Sequence, residues 1–312
     1  MNDFTHDCIG SVANAFSSKP IVDIRTPRMN SLLDSWLDED LGRGDLSKIA
    51  LLDQSGSAYW IAKQSGIFCG GELVKRIFQR LEASIQVTLL LKDGEPFKTG
   101  QRLLEIQGPA AALASGERTA LNLSMHLSGI TTATSLLVKE LAGTGIRLSD
   151  TRKTTPGLRI LEKYAFRCGG GINHRLGLDD AAMLKENHIA WAGGIQKACQ
   201  AIKAEAPWSS KIIVEVETSD QAEEAIHAGA DGILLDEIPP KQLHSLVPKL
   251  RDLALMRMNN EGSSQIVLEA SGVDPMNLKA YAATGIDLIS TSASITRSTW
   301  IDFSMRFEKT NS

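Results

Sequence analysis

The segment 150–189, DTRKTTPGLRILEKYAFRCGGGINHRLGLDDAAMLKENHI, concentrates side chains that could bind an anionic ligand. Its basic residues include Arg152, Lys153, Arg159, Arg167, Arg175 and Lys185, with His174 beside Arg175. Arginine forks match carboxylates in a bidentate manner, and lysine supplies a point charge that suits phosphate. The glycines at 169–171 let a backbone approach a ligand or turn sharply. The segment predicts an anion site, although Arg159 and Arg167 equally fit a solvated helix face.

Polar or ionisable residues end nearly every short apolar run after Ile146. They are Asp150, Lys185, Glu186, Glu215, Glu217, Asp236, Glu237, Glu269, Ser271, Ser290 and Ser292. The carboxyl ends of the strands of an α/β barrel converge on one face, which carries the active site. The series therefore predicts one site that holds anions with Lys and Arg and a metal ion with Asp and Glu.

The elements that must position these residues alternate regularly along the chain. Apolar runs at 146–150, 181–188, 211–217, 232–237, 265–271 and 286–292 are separated by helix candidates at 194–206, 219–230, 239–250 and 274–285. Repeated strand–helix units predict parallel strands joined by right-handed crossovers, as a closed barrel or an open sheet.

The amino-terminal part has a different pattern. An amphipathic helix is expected from Met29 to Gly42, and strands are expected at 57–63, 84–91 and 102–108, with a helix at 70–81 among them. A further helical stretch, 116–142, is expected to connect this part to the repeated units. This mixture predicts an antiparallel sheet with helices on one side.

Composition excludes several classes of protein. A net charge of −4 over 312 residues argues against general nucleic-acid binding, which needs a basic excess. No apolar run reaches the ~18 residues of a membrane span, and the polar amino terminus fits neither a signal nor a transit peptide, so a cytoplasmic protein is expected. The four cysteines show no CxxC pair, which predicts reduced thiols and argues against a structural zinc site.

The run DTRKTTPG with NHR downstream and LKENHI after it resembles the quinolinate phosphoribosyltransferase family. Further segments resemble that family in order and approximate spacing: EDLGRGDLS (39–47), SGERTALNLSMHLSGIT (115–131), VEVE (214–217), LLDE (234–237), EASG (269–272) and WIDFSMRF (300–307). The resemblance covers nearly everything from about residue 30 to 307.

The resemblance implies an α/β fold with an N-terminal α/β sandwich and a C-terminal open α/β barrel of about six parallel strands. The expected division is an extension at 1–28, a sandwich at 29–130 and a barrel at 131–294, with 295–312 returning to the sandwich. The sandwich of one subunit would cap the barrel of its neighbour, in a homodimer with shared active sites or a hexamer of such dimers.

The family transfers a ribosyl phosphate from phosphoribosyl pyrophosphate (PRPP) to the quinolinate nitrogen with Mg²⁺, releasing pyrophosphate and then CO₂. The product, nicotinate mononucleotide, serves NAD synthesis. The resemblance assigns the two quinolinate carboxylates to Arg118 from the neighbouring subunit and to Arg152, His174, Arg175 and Lys185. It gives catalytic roles to Lys153, which would contact both substrates, and to Glu217 and Asp236, which would hold Mg²⁺ and the ribose hydroxyls. Glu215 is a weaker candidate.

The loops expected to bind the 5′-phosphate depart from the family pattern. Their donors would be Ser271, Gly272, Ser290 and Ser292, with Thr151 also placed in the substrate site and Arg297 nearby. Val273 stands where a second glycine is usual, Ser292 where glycine is usual, and Glu237 where asparagine is common. Because valine does not readily adopt a positive φ, the loop at Val273 is expected to be shaped differently.

Three alternatives remain open at this point. One is a related phosphoribosyltransferase of the molybdate-operon type that acts on another base. Another is a catalytically silent binding homologue, which the glycine losses favour and the retained Glu217 and Asp236 disfavour. The third is a phosphate-binding aldolase with Lys185 as a Schiff-base lysine, but the neighbours of Lys185 match the transferase pattern instead.

Overall fold

The computed structural model describes residues 23–261 and 265–308. The predicted extension at 1–28 therefore lies mostly outside the described residues. The chain divides into two compact units. Of the described residues, the first unit comprises those up to Ser135, Thr155–Gly170 and those from Ser294 onward, and the second comprises Leu136–Thr154 and those between Gly171 and Ala293.

The first unit is built on an antiparallel four-stranded sheet in the order β12-β1-β5-β3. Its strands are β1 (Ser55–Ala62), β3 (Gln86–Leu89), β5 (Arg102–Pro109) and β12 (Phe303–Phe307), and a separate pair joins β2 (Gly66–Ile67) to β4 (Pro96–Phe97). Ala58, Trp60 and Ala62 of β1 are buried, whereas the residues between them are only half-buried. This alternation is that of a strand with one face against a core. The carboxyl-terminal strand β12 pairs with β1, with Trp60 opposite Met305.

The helices of the first unit follow their apolar periodicity. Helix α1 (Pro27–Leu41) buries Met29, Leu33 and Leu37, which are spaced four residues apart on one face. Thr26 caps its start and Gly42 its end, which confirms the predicted helix. Helices α2 (Gly71–Leu81) and α4 (Arg159–Cys168) complete this set, and the long helix α3 (Ala110–Glu140) covers the predicted connecting stretch.

The second unit is built on six parallel strands in the order β6-β11-β10-β9-β8-β7. They are β6 (Arg147–Ser149), β7 (Ala182–Leu184), β8 (Ile212–Val216), β9 (Gly232–Asp236), β10 (Val267–Ser271) and β11 (Leu288–Ser290). All five neighbouring pairs are parallel, which confirms the α/β class and the expected six strands.

The connections of the second unit are helical. They are α5 (Glu186–Ala192), α6 (Ile195–Glu205), α7 (Ser219–His227), α8 (Pro240–Glu261) and α9 (Leu278–Ala282), with α10 (Ala293–Thr296) at the boundary. The single run expected at 181–188 was wrong in its extent. Its strand ends at Leu184, because the Lys185 N–H donates to His188 Nδ1 at 3.1 Å and the chain turns into α5. Among the described helices, none has the length and apolar character needed to cross a membrane.

The turn after β9 carries unusual backbone geometry. Glu237 has φ of 53°, a left-handed value that favours Gly and Asn over Glu. Its N–H donates to Ser271 O at 3.2 Å, which ties this turn to the end of β10. A Cβ on the neighbouring Gly272, whose φ is 71°, would lie 2.7 Å from Glu237 Cγ. Glycine is therefore required at position 272, and Glu237 is held in a strained conformation.

We expect Glu237→Asn to raise the free energy of unfolding by about 0.5–1 kcal/mol, because Asn tolerates a left-handed backbone better than Glu. Urea denaturation of the purified protein measures this difference. Glu237→Gln is the matched control, since it removes the same charge without favouring positive φ. Equal stabilisation by both variants would show that charge, and not backbone strain, is responsible.

Candidate active site

A buried carboxylate organises the loop that carries His174 and Arg175. Asp150, which follows β6, is fully buried. Its Oδ1 accepts the His174 backbone N–H at 2.8 Å, and its Oδ2 accepts Asn173 Nδ2 at 2.6 Å. The Ile172 N–H donates to Leu148 O at 2.8 Å, so the loop also extends the edge of the sheet beside β6. The path of the NHR segment is thus fixed by both backbone and side-chain hydrogen bonds.

The imidazole of His174 has a defined orientation. Its Nδ1 accepts the Arg175 backbone N–H at 2.7 Å, which leaves the proton of the neutral ring on Nε2. Nε2 faces Glu269 Oε2 at 3.3 Å. The other oxygen of Glu269, Oε1, is buried and has no hydrogen-bond partner among the described residues. A buried carboxylate oxygen without a donor is costly, and a bound ligand that donates a hydrogen bond would remove that cost.

Two arginines of the candidate site interact electrostatically. Arg175 is buried, and its Nη1 donates to Ala181 O at 2.9 Å, which fixes the direction of the guanidinium. Burial, and then the positive charge of Arg152, hold the pKa of Arg175 below its ordinary value. An anion that binds to both would relieve their repulsion.

The parallel register places the ion pair of Lys185 and Glu215 at the level of Glu269 in the sheet. Glu215 of β8 and Glu269 of β10 are both register partners of Leu234 on β9. Lys185, the residue after β7, pairs its Nζ with Glu215 Oε2. Glu215 therefore acts as the direct partner of a predicted substrate cation, a contact that its strand position alone did not reveal.

The same register brings the predicted acids and hydroxyls into one row at the carboxyl ends of the strands. Val216 pairs with Leu235, so Glu217 and Asp236 follow at matching positions. Asp236 in turn pairs with Ser271 of β10. Ala270 pairs with Ile289, so Ser290 of β11 continues the row. Neither Glu217 nor Asp236 makes a salt bridge within the described residues. Two unneutralised neighbouring carboxylates are a donor set that suits a hard cation such as Mg²⁺.

The loops after β10 and β11 show how the chain accommodates its departures from the family pattern. The turn after β10 takes its positive φ at Gly272, whereas Val273 lies outside the left-handed region and is buried. In the next loop, the Thr291 N–H donates to Ser149 O at 3.0 Å. Thr291 Oγ1 accepts the Ala293 N–H at 3.1 Å, so that the loop turns around the half-buried Ser292.

Lys153 lies in a tight turn that exposes its side chain. Its backbone N–H donates to Thr151 Oγ1 at 3.0 Å, and the Thr154 N–H donates to Arg152 O at 3.0 Å. The Thr151 hydroxyl thus shapes the turn from which Arg152 and Lys153 extend. Lys153 is exposed, whereas Arg152 is half-buried.

The remaining predicted cations belong to the first unit. Arg118 is an exposed residue of α3, and Arg297 follows α10. Arg118 lines a cavity of about 490 Å³ within this unit, together with Trp36, His126 and Trp300. Arg118 lies in the first unit of its own chain. That it contributes to the active site of a neighbouring subunit remains a prediction.

Sequence reasoning missed three residues that the structure makes prominent. Asp150 and Glu269 were recognised only as strand-end acids, although the alternation of EAS along β10 could have pointed Glu269 toward the site. His126 was passed over within SGERTALNLSMHLSGIT. Its Nε2 lies 2.9 Å from Glu162 Oε1, and Glu162 also accepts the Thr155 N–H at 2.8 Å. Burial opposes ionisation of Glu162, but these hydrogen bonds hold its pKa below the ordinary value.

Family profiles and known proteins match this chain over most of its length. The family profile described as quinolinate phosphoribosyl transferase, N-terminal domain, matches residues 45–128, and the C-terminal domain profile matches residues 130–306. The probable nicotinate-nucleotide pyrophosphorylase (carboxylating) of Synechocystis sp. is 44% identical over 276 residues, which are 88% of this chain and 90% of that protein. The human nicotinate-nucleotide pyrophosphorylase (carboxylating) is 35% identical over 282 residues, 88% of this chain and 90% of that protein.

Solved structures give the same result. The nicotinate-nucleotide pyrophosphorylase from Francisella tularensis has a TM-score of 0.85 and 34% identity, and the match covers 93% of this chain and 100% of that one. NadC from Streptococcus pyogenes has a TM-score of 0.82 and 36% identity, with 90% of this chain and 96% of that one covered. The agreement of profiles, relatives and fold over nearly the whole length shows that the chain belongs to the quinolinate phosphoribosyl transferase family.

Proposed function

We propose that this protein transfers the phosphoribosyl group of PRPP to the nitrogen of quinolinate and releases pyrophosphate, CO₂ and nicotinate mononucleotide. The observation that carries the proposal is the buried Arg175 of the second unit, whose guanidinium is fixed by Ala181 O and lies within electrostatic reach of Arg152. Two guanidinium groups that repel each other are suited to a ligand with two carboxylates. A base with one carboxylate would neutralise this pair less completely.

The pocket for quinolinate is completed by His174 and Lys185, each of which is positioned by a carboxylate. Glu269 faces His174 Nε2, and Glu215 pairs with Lys185 Nζ. These contacts hold the two side chains at one level of the sheet before substrate arrives, which lowers the entropic cost of binding. Lys153, exposed on its turn, is assigned to both substrates because a lysine suits a phosphate oxygen as well as a carboxylate.

Glu217 and Asp236 are assigned to the ribose side of the reaction. Departure of pyrophosphate leaves positive charge on the ribose ring, and adjacent carboxylates stabilise that charge. The same pair supplies the oxygen donors that Mg²⁺ prefers, and neither carboxylate is paired with a protein cation among the described residues. The ion would neutralise negative charge on the leaving pyrophosphate. The hydroxyls of Ser271, Ser290 and Ser292 and the backbone at Gly272 are assigned to the 5′-phosphate.

Loss of CO₂ follows from the charge that the first step creates. After transfer, the ring nitrogen is positive. The bond from the adjacent ring carbon to its carboxylate breaks, CO₂ leaves, and the electron pair left on that carbon is stabilised beside the nitrogen until it takes a proton from solvent. The cations of the pocket need only hold the dicarboxylate in place and keep water from it. The cytoplasmic setting and the homodimer, with Arg118 supplied by the neighbouring subunit, belong to this proposal.

Incubation of the purified protein with quinolinate, PRPP and Mg²⁺ should yield nicotinate mononucleotide and one CO₂ per turnover, and nicotinate should not replace quinolinate. Lys153→Ala and Glu217→Ala should each lower kcat/KM by about 100-fold or more, because each removes a charge that acts on the transition state. Lys241→Ala and Glu205→Ala, at exposed helix positions, are the matched controls. Absence of product from a folded protein would overturn the proposal.

The shared active site has a test of its own. The Arg118→Ala and Lys153→Ala variants should each be nearly inactive. Mixing the two variants under conditions in which subunits exchange between dimers should restore activity. If each site takes Arg118 from one subunit and Lys153 from the other, a mixed dimer holds one intact site, and random mixing restores about a quarter of the wild-type sites. No recovery, with mixed dimers demonstrated by mass spectrometry, would show that both residues come from one subunit.

A further inference from the structure

Three residues of ligand type that the proposed reaction does not use converge in the first unit. Cys69 precedes α2, Asp93 lies in the turn before β4, and Cys168 is the last residue of α4. Their two Sγ atoms and a carboxylate oxygen all lie within 4.8 Å of one another. Within residues 23–261 and 265–308, this is the one group of three or more His, Cys, Asp or Glu side chains with such spacing.

The surrounding structure fixes two of the three residues. Asp93 Oδ1 accepts the N–H groups of Gly70 at 3.0 Å and Gly71 at 2.9 Å, so the carboxylate caps the start of α2. Cys69 donates its backbone N–H to Ser128 Oγ at 3.0 Å, and its carbonyl accepts Ser124 Oγ at 2.7 Å. Ligands whose other atoms are already hydrogen-bonded are oriented before a metal ion arrives.

The cluster lacks a cation among the described residues, although it contains the half-buried acid Asp93. Asp93 makes no salt bridge within the described residues, and its Oδ2 accepts the Tyr164 hydroxyl at 2.7 Å. A half-buried carboxylate and two thiols that converge without a cation among the described residues form a donor set that a positive ion would satisfy.

We propose that Cys69, Asp93 and Cys168 bind a thiophilic divalent cation of the Zn²⁺ class. Zinc bonds of ~2.3 Å to sulfur and ~2.0 Å to oxygen place tetrahedral donors roughly 3–4 Å apart, a separation that the cluster reaches with small movements. The Tyr164 oxygen or a water molecule supplies the fourth donor. The two thiols lose their protons to solvent as the cation binds.

The cation could reach the site from solvent, and its binding would affect the stability of the fold. Cys168 and Asp93 are partly exposed, whereas Cys69 is fully buried. The ion would therefore enter beside Cys168 and join the start of α2 to the end of α4. Because it binds the folded state, it should raise the thermal midpoint of unfolding. The site contains none of the residues assigned to the reaction, so failure of one proposal leaves the other intact.

The test uses the full chain, stripped of metal with a chelator and titrated with Cd²⁺, whose thiolate complexes absorb in the ultraviolet. Of the four cysteines, the background variant Cys8→Ser/Cys199→Ala keeps only Cys69 and Cys168. We expect it to bind one Cd²⁺ per chain with the thiolate band, to bind Zn²⁺ in competition with Cd²⁺, and to show a higher thermal midpoint with either ion.

Within that background, Cys168→Ser and Asp93→Asn should each weaken Cd²⁺ binding at least tenfold and abolish the thermal shift. Asp93→Asn keeps an oxygen for the N–H groups of Gly70 and Gly71, so its fold should survive, as circular dichroism would verify. Absence of the thiolate band from the folded background variant would overturn the proposal. Equal Cd²⁺ affinity in Cys168→Ser and the background would overturn it as well.

Discussion

The carboxylate of Asp150 is the constraint on which the candidate base pocket depends. It is fully buried, and it accepts both the His174 N–H and the Asn173 amide. A charge in that position is tolerated only because its acceptor sites are filled, and the same hydrogen bonds prevent the loop from moving. Asp150 therefore determines the orientation of His174 and Arg175, since the ring of His174 is itself held by the Arg175 N–H.

The parallel sheet supplies the second ordering principle. Parallel register converts equal distances along different strands into one row of side chains. One level carries Glu215 and Glu269, which position Lys185 and His174, and the next carries Glu217, Asp236, Ser271 and Ser290. The cations proposed to bind a dicarboxylate thus lie at one level, and the acids and hydroxyls proposed to bind a ribose phosphate lie at another. This separation suits the proposed reaction between two anionic substrates.

Much of this arrangement could be predicted from the sequence, because the spacing of apolar residues and the capping residues determine where helices and strands form. Helix α1 follows its spaced apolar residues from Thr26 to Gly42, and the six parallel strands follow the repeated apolar runs. The extent of the 181–188 run could not be predicted, since strand and helix continue one apolar pattern and only the turn at Lys185 separates them. The strained φ of Glu237 was equally hidden, although its unusual identity at that position was a signal.

Contacts between distant segments were the part that sequence could not supply. Glu269 faces His174, and Cys69 meets Cys168, only because tertiary packing brings separate elements together. The cysteine spacing argued against zinc, since a motif search detects only ligands that are close along the chain. In the same way, Asp150 looked like one strand-end acid among several until its hydrogen bonds to the NHR segment were known.

The most direct measurement is the dissociation constant of quinolinate for Asp150→Asn, obtained by calorimetric titration. The amide would place an N–H donor against the Asn173 amide and remove the charge that the loop donors neutralise. We expect a folded protein whose quinolinate binding is weaker by about tenfold or more, consistent with the loss of a charge-assisted hydrogen bond. Asp179→Asn, which changes an exposed acid in the same region, should bind as the wild type does. Wild-type affinity in a folded Asp150→Asn protein would contradict the account, because the anchor would then be dispensable to the pocket.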